Sequence, residues 1–228
     1  MSEFLHFSEH TLQEIALLFM GLVYTARLFW LFSFKSGSER QAPTGSMDTT
    51  PTKGYLYSWA MIAMPWAMES SRKHIGLYIQ FVVFHLGVAA AILLSFVIPY
   101  VPGLLEKSGM AALFQVVITA AFVVGILRII RRVTNPYMRA ISSPDDYFSL
   151  VLLTVWFGFA VVAAPNNVTS GEGPLLGFFL LTAFFLVYVP FSKISHYLYY
   201  PFTRYYFGKS MGFRGVYPVR TNPSRKSV

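Results

Sequence analysis

Five stretches of this chain stay apolar for about the thickness of a lipid bilayer, and nothing else in the sequence constrains the fold as strongly. They run over about 12–34, 75–100, 110–130, 147–164 and 174–199, each near the ~20 residues a helix needs to cross the hydrocarbon. Water is absent there, so a spanning segment must satisfy its own backbone, and runs of this length do so as helices. Only 12% of the 228 residues are charged, about half the roughly 25% of a soluble domain. The expected fold is all-α, an integral membrane bundle of five transmembrane helices over residues 1–200, with residues 201–228 as a basic cytoplasmic tail. The fifth helix carries Pro190, whose ring removes one backbone hydrogen bond and crowds the preceding turn, so a kink is expected there.

The basic residues set the orientation. With the N-terminus outside and the C-terminus cytoplasmic, the inner segments hold all but two of the 18 Lys and Arg; the exceptions are Arg27, within the first span, and Lys107, in an outer loop. A multi-pass protein of the cell's inner membrane is expected. The net charge of +8 does not point to nucleic acid, because the cations are confined between apolar runs instead of forming a stripe on a soluble surface. There are no cysteines, which excludes thiolate-held iron–sulfur clusters and zinc–thiolate sites within the chain. The first ten residues are polar and no small-residue cleavage site follows the first apolar run, so no cleaved signal peptide is expected. The outer loops are short, whereas 35–73, 131–146 and the tail are longer, which puts a docking partner on the cytoplasmic face. Within the first of these, the aromatic and Met-rich segment 55–68 is broken by Pro65 and too short to span. It reads as an interfacial helix on the membrane or against a partner subunit, or equally as an apolar lid over helix ends.

Two histidines stand inside apolar stretches. A neutral imidazole in hydrocarbon is costly without a partner, and ionisable groups there are functional candidates. His85 lies ten residues into the second run, ~15 Å along a helix, with no charged neighbour on its face. It reads either as an axial haem ligand or as a core histidine bonded to a carbonyl or a water. His196 lies near the inner end of the fifth run, and Lys193 is one turn away on the same face, placed to suit a haem propionate or a lipid phosphate. Two imidazoles from different helices are able to supply both axial positions of a haem iron. His74, at the inner border, and His6 and His10, in the polar N-terminal segment, read as interfacial or surface residues. No span has a carboxylate at its centre, which weighs against a proton-coupled transporter, and no phosphate-binding loop or hydrolytic set is present.

Three motifs carry a family resemblance. Pro190-Phe-Ser-Lys-Ile-Ser-His196 with the following Tyr-Leu-Tyr-Tyr-Pro resembles the end of the last helix in the gamma subunit of respiratory nitrate reductase. Arg131-Arg-Val-Thr-Asn-Pro-Tyr-Met-Arg-Ala-Ile-Ser-Ser-Pro-Asp-Asp146 resembles that subunit's inner loop between helices three and four, and Phe84-His85-Leu-Gly resembles the surroundings of its helix-two ligand. The resemblance follows span order over nearly the whole chain. It implies a five-helix cytochrome b that passes electrons between quinol and an iron–sulfur protein, with His85 and His196 as ligands of haem iron.

The departures are equally informative. Where family members carry the two ligands of a second, outer haem, this chain has Ser95 and Phe178, and neither a hydroxyl nor a phenyl ring replaces an imidazole. The expectation is one haem b on the cytoplasmic side. A haem shared by His85 and His196 requires the second helix to begin outside the hydrocarbon, which its extra length allows. Lys107 matches a lysine of the family's outer quinol site. With no outer haem to accept electrons it reads as an interfacial anchor, and a quinone site is expected beside the inner haem first. Arg27 also resembles a family arginine, whose charge a propionate or helix-end contact would stabilise. The chain is similar, too, to small members found in membrane complexes of sulfate-reducing bacteria, such as the high-molecular-weight cytochrome complex. The partners this implies are membrane lipid, other membrane subunits, a cytoplasmic iron–sulfur protein and, through the complex, a periplasmic cytochrome c. A haem-free anchor of such a complex and a small transporter subunit are the rival readings.

Overall fold

The structure, a computed structural model, describes residues 2–35, 37, 41–169 and 171–219. Four of the basic residues expected on the inner side, Arg40, Arg220, Arg225 and Lys226, lie outside the described residues. Among those described there are helices and no strands: α1 (Glu3–Glu9), α2 (Thr11–Ser33), α3 (Pro51–Ala60), α4 (Glu69–Lys73), α5 (Ile75–Tyr100), α6 (Gly103–Glu106), α7 (Met110–Thr134), α8 (Pro136–Ile141), α9 (Pro144–Ala163), α10 (Gly173–Tyr188) and α11 (His196–Phe213). Five are long and apolar enough to cross a membrane: α2 with α1 ahead of it, α5, α7, α9, and α10 with the turn that follows it. The protein is an all-helical, multi-pass membrane protein. Its chain divides into two compact units, Met1–Ser33 with Ile79–Ser195, and Phe34–Tyr78 with His196–Val228.

The first unit contains the five long helices, apart from the first turn of α5, which falls in the second. Its core is aromatic: Trp156, Phe157, Phe178 and Phe179 are almost wholly buried, and Trp156 stacks on Phe178 with ring centroids 5.9 Å apart. The indole N–H of Trp156 donates to Thr182 Oγ1 at 2.9 Å, and that hydroxyl donates to the Phe178 carbonyl at 2.7 Å. Each polar atom brought into the core is thereby satisfied, as burial requires. Gln13 plays the same part between helices, donating to Ser8 O at 3.1 Å and Phe179 O at 2.7 Å. α5 and α7 meet where the backbone at Gly87 lies against Ala121, so closely that a Cβ at Gly87 would stand 2.0 Å from that of Ala121.

Local chemistry sets the helix ends. α9 begins at Pro144, three residues before the apolar run at Tyr147, because Ser143 and Asp146 form a capping box, the reciprocal bonding that satisfies first-turn N–H groups. α8 starts where Asn135 Oδ1 accepts from the N–H groups of Tyr137 and Met138. The fifth helix does not run on to residue 199 as expected. It ends at Tyr188 and gives way to single 3₁₀ turns at Val189–Phe191 and Lys193–Ser195. Pro190 has no N–H to offer, Ser192 is extended, and the hydroxyls of Ser192 and Ser195 take up the carbonyls of Val189 and Ser192. The expected kink is a break.

The second unit is built on α3 and α11, so residues 201–213, expected as part of a tail, are helix. Small residues let the two backbones touch. A Cβ at Gly54 would fall 2.2 Å from Gly208 O, one at Gly208 2.5 Å from Tyr55 Cα, and one at Gly212 2.4 Å from Thr50 O. Gly208 and Gly212 are four apart, as are Gly54 and Ser58, the small-xxx-small spacing that permits such approach. The carbonyls at the end of α11, which have no helical partner, accept from Thr49 Oγ1 (Gly212 O, 2.8 Å), the Gly45 N–H (Arg214 O, 3.0 Å) and the Ser46 N–H (Gly215 O, 3.1 Å). Arg204 Nε donates to Ser58 O at 3.1 Å, and Trp59 Nε1 to Pro201 O at 2.9 Å. The segment expected to lie on the membrane or a partner, or as a lid over helix ends, packs in part on α11.

Gly208→Val forces side chain into backbone, and overpacking of this kind costs about 1–3 kcal/mol. Faster hydrogen exchange over 51–60 and 203–213, with the five long helices unchanged, is the expected result in detergent-purified protein. Acid should loosen α1. The Ser2 N–H (2.6 Å) and hydroxyl bind the Glu172 carboxylate and hold its pKa below the usual range. That tether is present above the unfolded-state pKa of Glu172 and lost as pH falls through its lowered folded value. Exchange at α1 should rise with acidification, and Glu172→Gln should remove the pH dependence.

Candidate functional site

α5 buries one side, through Phe84, Gly87, Ala91, Leu94, Ser95 and Ile98. His85 lies on the other, in an exposed apolar stripe with Ala89, Ile92 and Phe96 at spacings that align on one helix face. Its Nδ1 is 2.8 Å from the Phe81 carbonyl. A carbonyl only accepts, so Nδ1 carries the proton and Nε2 the lone pair in the neutral ring. A bond of this kind orients metal-ligating histidines and makes them more basic. The Phe81 ring, 4.3 Å from the imidazole between centroids, and the Phe84 ring, at 6.2 Å, flank it.

His196 opens α11 and is exposed. It stands twelve residues before Gly208, hence ~120° around the helix from the face packed on α3. His85 belongs to the first unit and His196 begins the second.

The remaining candidates sort by their contacts. Lys193, expected at a propionate, is engaged within the first unit. Its Nζ donates to Asp146 Oδ2 at 2.8 Å and Ser143 Oγ at 2.7 Å, and its backbone N–H to Asp145 Oδ2 at 3.2 Å. Tyr188 OH also donates to Asp145. The clasp holds the 189–195 break against the start of α9, three residues ahead of His196. Arg27 reaches the same break, with its guanidinium carbon 5.4 Å from the centre of the Phe191 ring. Lys107 is exposed just after α6. His74 is exposed at the end of α4. The rings of His6 and His10 lie 4.7 Å apart between centroids, tilted by 36°, and His10 lies 3.5 Å from the Glu9 carboxylate.

Ser95 and Phe178 occupy filled space. Ser95 is buried with its hydroxyl bonded to Ile92 O at 2.7 Å, and Phe178 is the ring beneath Trp156. Among the described residues, no three His, Asp or Glu side chains gather as a metal site; a haem iron asks the protein for two axial ligands. One residue was read in the sequence only as a basic residue of the inner side. Arg128 places its guanidinium carbon 4.8 Å from the centre of the ring of Phe84, the sequence neighbour of His85. The signal was a single arginine three residues ahead of the Arg131-Arg132 pair, inside the apolar run.

A scan against protein-family models found no match, nor did comparisons with curated proteins and with solved structures.

The Lys193–Asp146 contact is testable by a double-mutant cycle of Lys193→Met and Asp146→Asn. Lys193 is 59% exposed and Asp146 21%, so solvent screening limits the coupling to about 0.5–1 kcal/mol. Thermal unfolding in one detergent should show that coupling, and additive effects would remove the clasp.

Proposed function

We propose that this chain is the cytochrome b subunit of a respiratory membrane complex, with one haem b held between His85 and His196. The observation that carries the reading is the His85 imidazole. It stands in a spanning helix on the face turned from its unit's core, with Nδ1 bonded to the Phe81 carbonyl, the bond that orients an imidazole to coordinate through Nε2. The donor chemistry fits the group, since haem b iron takes neutral imidazole on both axial sides. When bound, the haem supplies one-electron redox chemistry.

The chain's own contribution is to hold and surround that group. Phe81 and Phe84 give His85 an apolar setting of low polarity, and burial is among the levers that tune a haem's potential. The clasp at Lys193 fixes the chain just ahead of His196. The filled aromatic core around Trp156 and Phe178 supports a single haem, because the family's second pair of ligand positions holds Ser95 and Phe178.

The charge asymmetry supports an N-terminus outside and a C-terminus in the cytoplasm, in the inner membrane. In this reading electrons pass between a quinone, or another membrane or periplasmic subunit, and a cytoplasmic iron–sulfur protein that docks on the basic inner face. A quinone site belongs beside the inner haem, and Lys107 anchors the outer border.

A pyridine haemochrome assay on the purified protein or complex tests this. One haem b per chain in the wild type is expected, with loss in both His85→Ala and His196→Ala. Full occupancy in both variants moves the ligands elsewhere. A wild type without haem b leaves a membrane anchor whose electron path runs through its partners.

A further inference from the structure

Arg128 sits six residues from the end of α7, ~9 Å from that end along the helix axis. It is half-buried. None of the ion pairs or side-chain hydrogen bonds among the described residues compensates it, and the charges acting on it most are two more cations, Arg131 and Arg132. Arg132 is provided for, through Ser142 Oγ at 2.6 Å and Asp146 at 3.9 Å. Arg128 is left with the face of Phe84.

An arginine in a span usually escapes cost by extending to the interface. Arg128 packs on a ring of the neighbouring helix. α5 and α7 run antiparallel, since Gly87 meets Ala121 while the earlier residue Phe84 meets the later residue Arg128. With Gly87 level with Ala121, Phe84 is level with about residue 124, and the Cα of Arg128 lies ~6 Å nearer the α7 end. Both side chains lean toward the N-terminus of their own helix, and they meet between the two levels. A half-buried cation on the Phe84 ring, which itself lies 6.2 Å from the His85 imidazole between centroids, calls for an anion from outside the chain.

We infer that Arg128 is an anion-binding residue of the His85 site, whose guanidinium receives a carboxylate of the group bound there. The inference rests on the haem reading and deepens it, since the carboxylates of haem b are its propionates. A planar guanidinium suits that partner, because its paired N–H donors match both oxygens of a carboxylate. Phe84 positions it from beneath. A guanidinium paired with a haem carboxylate would add fixed positive charge to the haem's surroundings, which would favour its reduced form.

The test uses the full chain, or its complex, as wild type, Arg128→Gln and Arg128→Lys. It reads haem b per chain, midpoint potential by optical titration, and the rate of haem transfer to apomyoglobin. The expected result is a lower midpoint potential and several-fold faster transfer in Arg128→Gln, with most of the loss recovered in Arg128→Lys. An unmoved potential and transfer rate in Arg128→Gln overturns the inference alone, as does equal loss in both variants, which would assign the arginine to helix packing. Retention of a phospholipid by the wild type and its loss from Arg128→Gln, at unchanged potential, gives the guanidinium to a lipid headgroup and overturns it too. A wild type without haem b overturns the parent reading, and this inference with it.

Discussion

Hydrocarbon offers a peptide group no hydrogen-bond partner, and the architecture of this protein follows from that shortage. Each spanning segment closes its own backbone as a helix. The few polar groups carried inside must then be answered locally, and Gln13, Thr182 and the Trp156 indole each meet a carbonyl or hydroxyl nearby. Where the helix ladder fails, at Pro190, serine hydroxyls and the Lys193–Asp146 contact replace it. The same accounting singles out His85, which meets a carbonyl of its own helix, and Arg128, which meets only an aromatic face and other cations.

Seen this way, the aromatic core and the candidate site are complementary. Phe84 belongs to both. Its ring packs against Phe157 with centroids 5.3 Å apart and at the same time underlies Arg128. On the core side of α5 Ser95 is buried, and Phe178 of α10 lies beneath Trp156. The opposite side carries His85 in an apolar stripe. A helix with one face committed to a core and an imidazole on the other presents that imidazole to whatever adjoins it, and this is why the proposal of a bound macrocycle is built on α5.

The second unit obeys a different logic. α3 and α11 hold together through backbone contact at Gly54, Gly208 and Gly212, together with side chains that serve the ends of both helices. Close approach of backbones gains dispersion contact without bulky side chains. It also directs aromatic rings outward, where Trp59, Tyr206 and Phe207 are exposed.

The positions of the five long helices were legible because length and hydropathy are properties of consecutive residues, and a bilayer reads them consecutively. The ends were less so. The α9 start depends on a reciprocal bond between Ser143 and Asp146, and hydropathy is blind to it. His85 was visible as an ionisable group in an apolar run, and Lys193 as a cation one turn from His196. That Lys193 is engaged by Asp146, 47 residues away, was not visible, because pairing across such separation depends on how the helices pack. Arg128 was counted only as a basic residue near an inner border; its contact with Phe84 exists only once α5 and α7 lie side by side. By itself the sequence determined a five-helix membrane protein with two histidines in apolar surroundings, since those follow from composition in order along the chain. Tertiary structure alone decided which charges are answered and that loop and tail pair as helices. Both depend on contacts between residues far apart in sequence, which only folding brings within reach.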